Sequence, residues 1–333
     1  MRDILTDRPP GCVAQLTRRA LGAALLLPAA ARAQGPNGGS STRPVTIIAP
    51  FGPGTPPDLV ARMLAEALQR QRAQPFVVDN RPGASGTIGA AAVARAAPDG
   101  QTLLIATGTA AMNVSLFRSL PYDPVGSFAP VVLLASVPFA IIAHPAAGAT
   151  LPEVVARARA NPGRVNYATP GVGTPHHVAT EMLRQRTGIQ IEHVPYRAAG
   201  GAVADILNGT VSLMFLPAPQ AVELSRDGRV RVLAVATEAR LPELPAVPTT
   251  AEAGVPDMLM SDWYGLFAPG ATPPDTVLRL NEAVNAVLPA MTQPLAAQGM
   301  TSLGGPPERL RALFAAEIAR WAAVIRTGGI SAE

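Results

Sequence analysis

The chain alternates short apolar runs with amphipathic stretches. Val45-Thr46-Ile47-Ile48-Ala49 is a β-rich apolar run that predicts a strand, and residues 56–71 that follow it predict a helix. The same pattern gives strands over 75–78, 102–106, 131–134, 140–143, 165–168 and 232–237, and helices over 89–97 and 151–160. A last helix over 308–326 places Leu310, Leu313, Phe314, Ile318, Trp321 and Ile325 on one face and stops at Gly328-Gly329. Strands alternating with helices in this way predict an α/β fold with mainly parallel sheets. The apolar stretch 131–143 is interrupted by Ser136 and Pro138, so it predicts separate buried strands rather than a membrane span.

The N-terminus follows a different rule. Thr17-Arg18-Arg19-Ala20-Leu21 opens an apolar run of about 11 residues that closes on Ala31-Arg32-Ala33, the form of a secretory signal peptide cleaved after Ala33. The paired arginines leave the general (Sec) and twin-arginine (Tat) export routes both open, each leading to the periplasm. Residues 34–42 are rich in Gly and Ser, hold no core-forming residue and predict a flexible lead-in. The single Cys12 precedes the apolar run, so the processed chain has no thiol chemistry and no disulfide.

The 333 residues, 48% hydrophobic and 15% charged, suit two domains with substantial cores and exclude a disordered chain. All 27 basic residues are Arg, which removes Schiff-base and phosphate-loop lysine chemistry. The formal charge of +4 resides mostly in the leader; the remainder carries 22 Arg against 21 acidic residues. No basic run with interleaved aromatics marks a nucleic-acid groove, and no nucleic-acid partner is expected.

An internal repeat carries the functional signal. Residues 45–64 (VTIIAPFGPGTPPDLVARML) and 164–183 (RVNYATPGVGTPHHVATEML) align without gaps as strand, G-x-G-T-P turn and helix. Thr55 and Thr174 stand as N-caps, Pro56 and Pro175 as first helical residues, and Asp58 at the third position completes a near capping box. Gly52, Gly54, Gly171 and Gly173 let backbone amides approach a ligand at a positive helix end, which favours a carboxylate or phosphate. With Pro56 and Pro57 lacking N–H groups, the amides of Gly54, Thr55 and Asp58 and the Thr55 hydroxyl are expected to suit one carboxylate better than a pyrophosphate. Thr272-Pro273-Pro274-Asp275 repeats the box without the preceding G-x-G, so capping alone says nothing about ligands. Gly83-Ala84-Ser85-Gly86-Thr87-Ile88-Gly89 and Thr107-Gly108-Thr109 are further small-residue turns after strands that could line the same cleft.

Other chemistries lack their motifs. There is no G-x-S-x-G nucleophile elbow, and segment 171–176 is G-x-G-x-x-His rather than a dinucleotide fingerprint. His176 and His177 point to different sides of a helix, and only His177 and Glu181 share a face, which falls short of a metal site. His144 and His193 read as structural, and no cofactor is expected. A secreted serine hydrolase and an orphan receptor serving a sensor are alternative readings.

Ala49-Pro50-Phe51-Gly52-Pro53-Gly54-Thr55-Pro56-Pro57-Asp58, the Asp79–Gly89 run, Pro98-Asp99-Gly100, Leu120-Pro121-Tyr122-Asp123-Pro124, Gly171-Val172-Gly173-Thr174-Pro175-His176-His177, Val194-Pro195-Tyr196-Arg197 and Trp263-Tyr264-Gly265 together resemble the Bug family of extracytoplasmic solute receptors. The resemblance implies a non-catalytic, two-lobed periplasmic binding protein of Venus-flytrap form, with two mostly parallel sheets joined by a double-crossover hinge. It implies lobes of 43–140 plus 265–333 and 141–264, a monomer, a small organic carboxylate ligand and membrane subunits of a tripartite tricarboxylate-type transporter as partner. The implied ligand-binding residues are Phe51, Gly52, Pro53, Gly54, Thr55, Asp58, Ala84, Ser85, Thr107, Gly108, Thr169, Gly171, Val172, Gly173, Thr174, His176, His177 and Arg197. Where relatives usually have Gly-Gly, this chain has Gly54-Thr55, followed by two prolines.

Overall fold

The computed structural model describes residues 43–332 apart from 73, 197 and 198. The expected leader, with Cys12 and the Ala33 cleavage point, and Arg197 lie outside the described residues. The first half contains β1 (Val45–Ala49), α1 (Pro56–Gln71), β2 (Phe76–Asn80), α2 (Thr87–Ala94), β3 (Thr102–Thr107), α3 (Gly108–Leu116) and β4 (Phe128–Ala143). Then come α4 (Leu151–Ala160), β5 (Asn166–Thr169), α5 (Pro175–Thr187), β6 (Glu192–Pro195), α6 (Ala199–Leu207), β7 (Leu213–Pro217), α7 (Ala218–Ser225) and β8 (Arg231–Val235). The chain closes with β9 (Ser261–Pro269), α8 (Pro274–Ala297), β10 (Thr301–Ser302) and α9 (Pro307–Gly328).

The strands follow the order β2-β1-β3-β9-β4-β7-β5-β6, with β8 and β10 also paired to β4. Pairing is parallel towards both ends, β1 with β2 and β3, and β5 with β6 and β7. It is antiparallel in the centre, where β9 and β4 carry the chain between the two parallel groups. The expected break at Ser136 and Pro138 does not occur. β4 is one strand of 16 residues: Phe128 to Pro138 pairs with β9, and Phe139 to Ala143 pairs with β7. Pro138 has no N–H to give, but it stands where the strand exchanges one partner for the other, a place that tolerates the missing donor. The return passage runs alongside, with Phe139 N–H donating to Met260 O and Met260 N–H to Ala236 O.

Each parallel group has its own core. Ile47, Leu64, Leu103 and Val284 belong to the first, and Ala140, Ile142, Ile206 and Met214 to the second. A third cluster draws on both, combining Met112 and Leu116 of α3, Val178 and Met182 of α5, and Trp321 of α9. Leu310, Phe314, Trp321 and Ile325 of α9 are all buried, as the helical spacing requires. Truncating Trp321, which is 0% exposed, to Ala should cost roughly 3–5 kcal/mol.

Candidate functional site: two matched helix starts

β1 ends at Ala49 and the chain turns through 51–55 into α1. Gly54 sits at φ +80°, where an L side chain is strained. Thr55 occupies the N-cap, yet its hydroxyl donates back to Gly52 O at 2.6 Å and its N–H goes to the same carbonyl at 3.3 Å. Asp58 is 1% exposed; its Oδ2 accepts the Gly54 N–H at 2.8 Å and Arg62 Nε at 3.0 Å, and its Oδ1 accepts Asn80 Nδ2 at 2.8 Å. Burial works against the charged form, but the bonds from Arg62, Gly54 and Asn80 outweigh it and hold the carboxyl below its ordinary range. The expected capping box is therefore shifted by one residue, because Asp58 serves Gly54 rather than Thr55. The expectation that the Gly54 and Thr55 amides and the Thr55 hydroxyl stay open for a ligand is corrected: all three are spent inside the turn. Of the first three residues of α1, two are prolines and only Asp58 has an amide N–H.

The second helix start copies this trace. Thr174 Oγ1 donates to Gly171 O at 2.8 Å, and Gly173, at φ +73°, gives its N–H to His177 Nδ1 at 3.1 Å. Thr169 Oγ1 accepts the Gly171 N–H at 3.3 Å and lies 2.6 Å from His193 Nε2. The His193 ring stacks on His177 at 4.0 Å and on Tyr167 at 4.8 Å. Burial pushes His177 down to about 4, with His193 and Arg184 adding to it; burial also pushes His176 to about 4 and lowers His193. All three imidazoles are neutral at pH 7, and the Gly173 bond needs an unprotonated Nδ1. His176 points elsewhere, edge-on to Phe139 at 5.2 Å, as the helical spacing requires. Pro175 apart, the start of α5 keeps the amides of His176 and His177, and its first turn holds no acid. Val172 at the turn's tip is exposed.

The other two candidate turns each lead into a helix. Ala84 and Ser85 both take positive φ, 45° and 53°, ahead of α2. The Phe51 ring packs on Gly86, 3.4 Å from where a Cβ would stand. Thr107-Gly108-Thr109 is not a loose turn but the start of α3: Thr107 Oγ1 accepts the Thr109 N–H at 3.2 Å, and Gly108 N–H donates to Asp262 Oδ1 at 2.9 Å. The Gly108 amide is thus spent as well. Burial pushes Asp262 up to about 6, against the bonds from Gly108 and Trp263.

α3 ties these parts together. Asn113 Nδ2 donates to Ser85 O at 2.9 Å, while Leu116 abuts Gly173, with 3.0 Å from its Cδ1 to a Cβ placed there. Three residues of one helix, a rise of about 4.5 Å, separate the contacts to the two halves. Phe51, Ser85 and Thr107 line one cavity of about 20 Å³ together with Asn113 and Tyr122. Larger hollows of about 280 and 620 Å³ lie away from the turns, at the amino ends of β1 and β2 and along α1. Asn80, Asn113 and His193 were not singled out as ligand or turn-supporting residues from sequence. Asn80 stood inside a recognised run, whereas nothing local marks Asn113.

Residues 60–330 match the profile of the tripartite tricarboxylate transporter family receptor. The chain belongs to that receptor family. This receptor is 39% identical over 292 residues to protein BugT of Bordetella pertussis, covering 86% of this chain and 90% of that protein. Its fold is similar to R. palustris Rpa4515 with adipate, with TM-score 0.77 and 36% identity over 87% of this chain and 99% of that one. It is also similar to MatC of Rhodopseudomonas palustris with bound malate, with TM-score 0.72 and 32% identity over 86% and 99%. The periplasmic binding protein BugD matches with TM-score 0.74 and 32% identity over 87% and 98%. The two-lobed periplasmic-binding-protein architecture is therefore shared. Among the described residues of the receptor, no helix is long and apolar enough to cross a membrane.

Proposed function

We propose that this receptor is exported, binds a small organic carboxylate between its lobes, closes on it as a monomer and delivers it to the membrane subunits of a tripartite tricarboxylate-type transporter. The observation that carries the reading is the pair of G-x-G-T-P helix starts, which share one trace; the second abuts Leu116 of α3, and the Phe51 ring beside the first packs on Gly86, next to the Ser85 carbonyl that Asn113 of α3 bonds. Each follows the carboxyl end of a parallel strand, where open α/β sheets hold ligands. Related solved structures that carry adipate and malate support a carboxylate in the same fold.

The lobes are 43–140 with 265–333, and 141–264, and the handover of β4 from β9 to β7 at Phe139 supports a crossing there. Binding energy gathered from both lobes favours the closed state. No step of this cycle needs bond chemistry. Thermal-shift screening of the purified protein against mono-, di- and tricarboxylates tests the reading. A concentration-dependent rise in Tm with one or more acids is expected; a flat response to every acid would overturn it.

A further inference from the structure

One carboxylate at the crossing between the two parallel groups has no counter-charge. Asp262, the second residue of β9, pairs with Val137 of β4, one residue ahead of the exchange of partners at Pro138. Its Oδ1 accepts the N–H of Gly108 at 2.9 Å and that of Trp263 at 3.0 Å. Among the described residues no ion pair neutralises it, and the charged group that acts on it is another acid, Glu317 of α9. The Arg320 guanidinium is engaged elsewhere, at 3.3 Å from Glu317 and over the Trp321 ring.

Its position puts it on the ligand-bearing edge of the sheet. Thr107 and Gly108 stand at the carboxyl end of β3, which runs parallel to β1, so α3 and α1 start on the same edge. Two residues along β4 from Val137, about 7 Å, Phe139 meets the His176 ring of α5 edge-on at 5.2 Å. Asp262 thus bonds the start of α3 and lies about two strand residues from the contact that holds the start of α5. It is half-buried rather than sealed, and no described residue bonds its Oδ2.

A helix end draws an anion, and here the chain supplies its own: the α3 amide that would meet a ligand carboxylate already holds Asp262. A second carboxylate beside Asp262 would add a like charge where Glu317 already opposes it. A protonated amine brings the missing counter-charge, and its N–H donors suit an oxygen without another partner. Closure sharpens the choice, since withdrawing an unpaired carboxylate from water costs far more than withdrawing a paired, hydrogen-bonded one.

We propose that Asp262 determines specificity: it turns away a second ligand carboxylate and takes a protonated amine, so that the ligand is an amino monocarboxylate. The inference rests on the carboxylate-receptor reading above and narrows it.

The test is calorimetric titration of the purified protein with two sets matched in shape and ending in methyl, ammonium or carboxylate: pentanoate, 4-aminobutyrate and glutarate, and 2-methylpropanoate, alanine and methylmalonate. In at least one set the amino acid should bind tenfold or more tighter than both its partners. Asp262→Asn keeps an acceptor for Gly108 and Trp263 but loses the charge; in that variant, checked for folding by its thermal transition, the ratio should fall to about one. Affinity of the wild type for the amino acid should also drop severalfold from about pH 7.5 to about 5, because Asp262, pushed up to about 6, loses its charge while the ligand keeps both of its own. Nearby, His176 and His177 stay neutral and Tyr264, raised by burial, stays protonated across that range, so the Asn variant should show no such drop. If the variant does not fold, the wild-type ranking and its pH dependence still decide. A dicarboxylate or amine-free acid binding as tightly as the amino acid, in these sets or in the wider screen, would overturn the inference and leave the receptor reading standing. No binding by any acid in either would overturn both.

Discussion

At both helix starts a threonine hydroxyl closes on the carbonyl three residues back, and a glycine amide at positive φ donates to the side chain four residues on. At Gly54 that acceptor is the Asp58 carboxylate, fastened by Arg62 and Asn80; at Gly173 it is the His177 imidazole, stacked on His193. One backbone shape is thus held by an anion in one half and by a neutral ring in the other. The geometry of a turn and its charge are separable, and the charge decides what the turn attracts.

The comparison breaks first at its glycines. Gly173→Val should destabilise the receptor by about 4 kcal/mol, since φ +73° strains any L residue and the new Cβ would stand 3.0 Å from Leu116. Gly54→Val meets open space, and φ +80° alone should cost about 2 kcal/mol. Urea unfolding of the two variants measures the difference, and equal losses would contradict it. The cost at Gly54 arises from backbone conformation, not from a side chain covering a free amide, because that amide is already bonded.

Acid should separate the two locks next. His177 is depressed from 6.5 to about 4, so its contribution is fully present above pH 6.5 and is lost as pH falls through about 4, on the order of 3 kcal/mol. Asp58 lies below 3.8, so its contribution is present above that value and survives to lower pH. Backbone NMR across pH 7 to 3 should show the Gly173 amide signal moving before that of Gly54. The reverse order would sink the assignment of the locks.

Smaller effects sharpen the same contrast. Asp58→Asn keeps an acceptor for Gly54 but loses the charge-assisted bond to Arg62, half of whose side chain is exposed, so about 1 kcal/mol should go in chemical denaturation. Thr55→Ala and Thr174→Ala remove the feature the turns share, and each should cost about 1 kcal/mol or less. A twofold disparity between those two losses would show that the hydroxyl bonds are not equivalent.

Much of this was legible in the sequence, for reasons that also mark the limits. α1 runs over the residues its pattern predicted, because Pro-Pro-Asp after a G-x-G both ends a strand run and starts a helix. α9 was legible because its apolar face keeps helical spacing from Leu310 to Ile325, about four turns. α3 was not, since Gly-Thr-Ala-Ala has no contrast between faces to read. The Gly108–Asp262 bond joins residues 154 positions apart, beyond any local rule. Hydrogen-bond choice inside the turns was equally hidden: Thr55 and Asp58 have the composition of a capping box, but φ +80° at Gly54 swings a different amide onto the carboxylate.

The central claim is that one small acid binds between the lobes beside the two helix starts, and ¹⁵N NMR titration of the receptor with whichever acid gives the largest thermal shift tests it most directly. The amides of Phe51, Gly52, Gly54, Thr55 and Asp58 and of His176 and His177 should move together along one saturation curve. Changes confined to a single turn, or absent from both while the acid binds, would contradict the account.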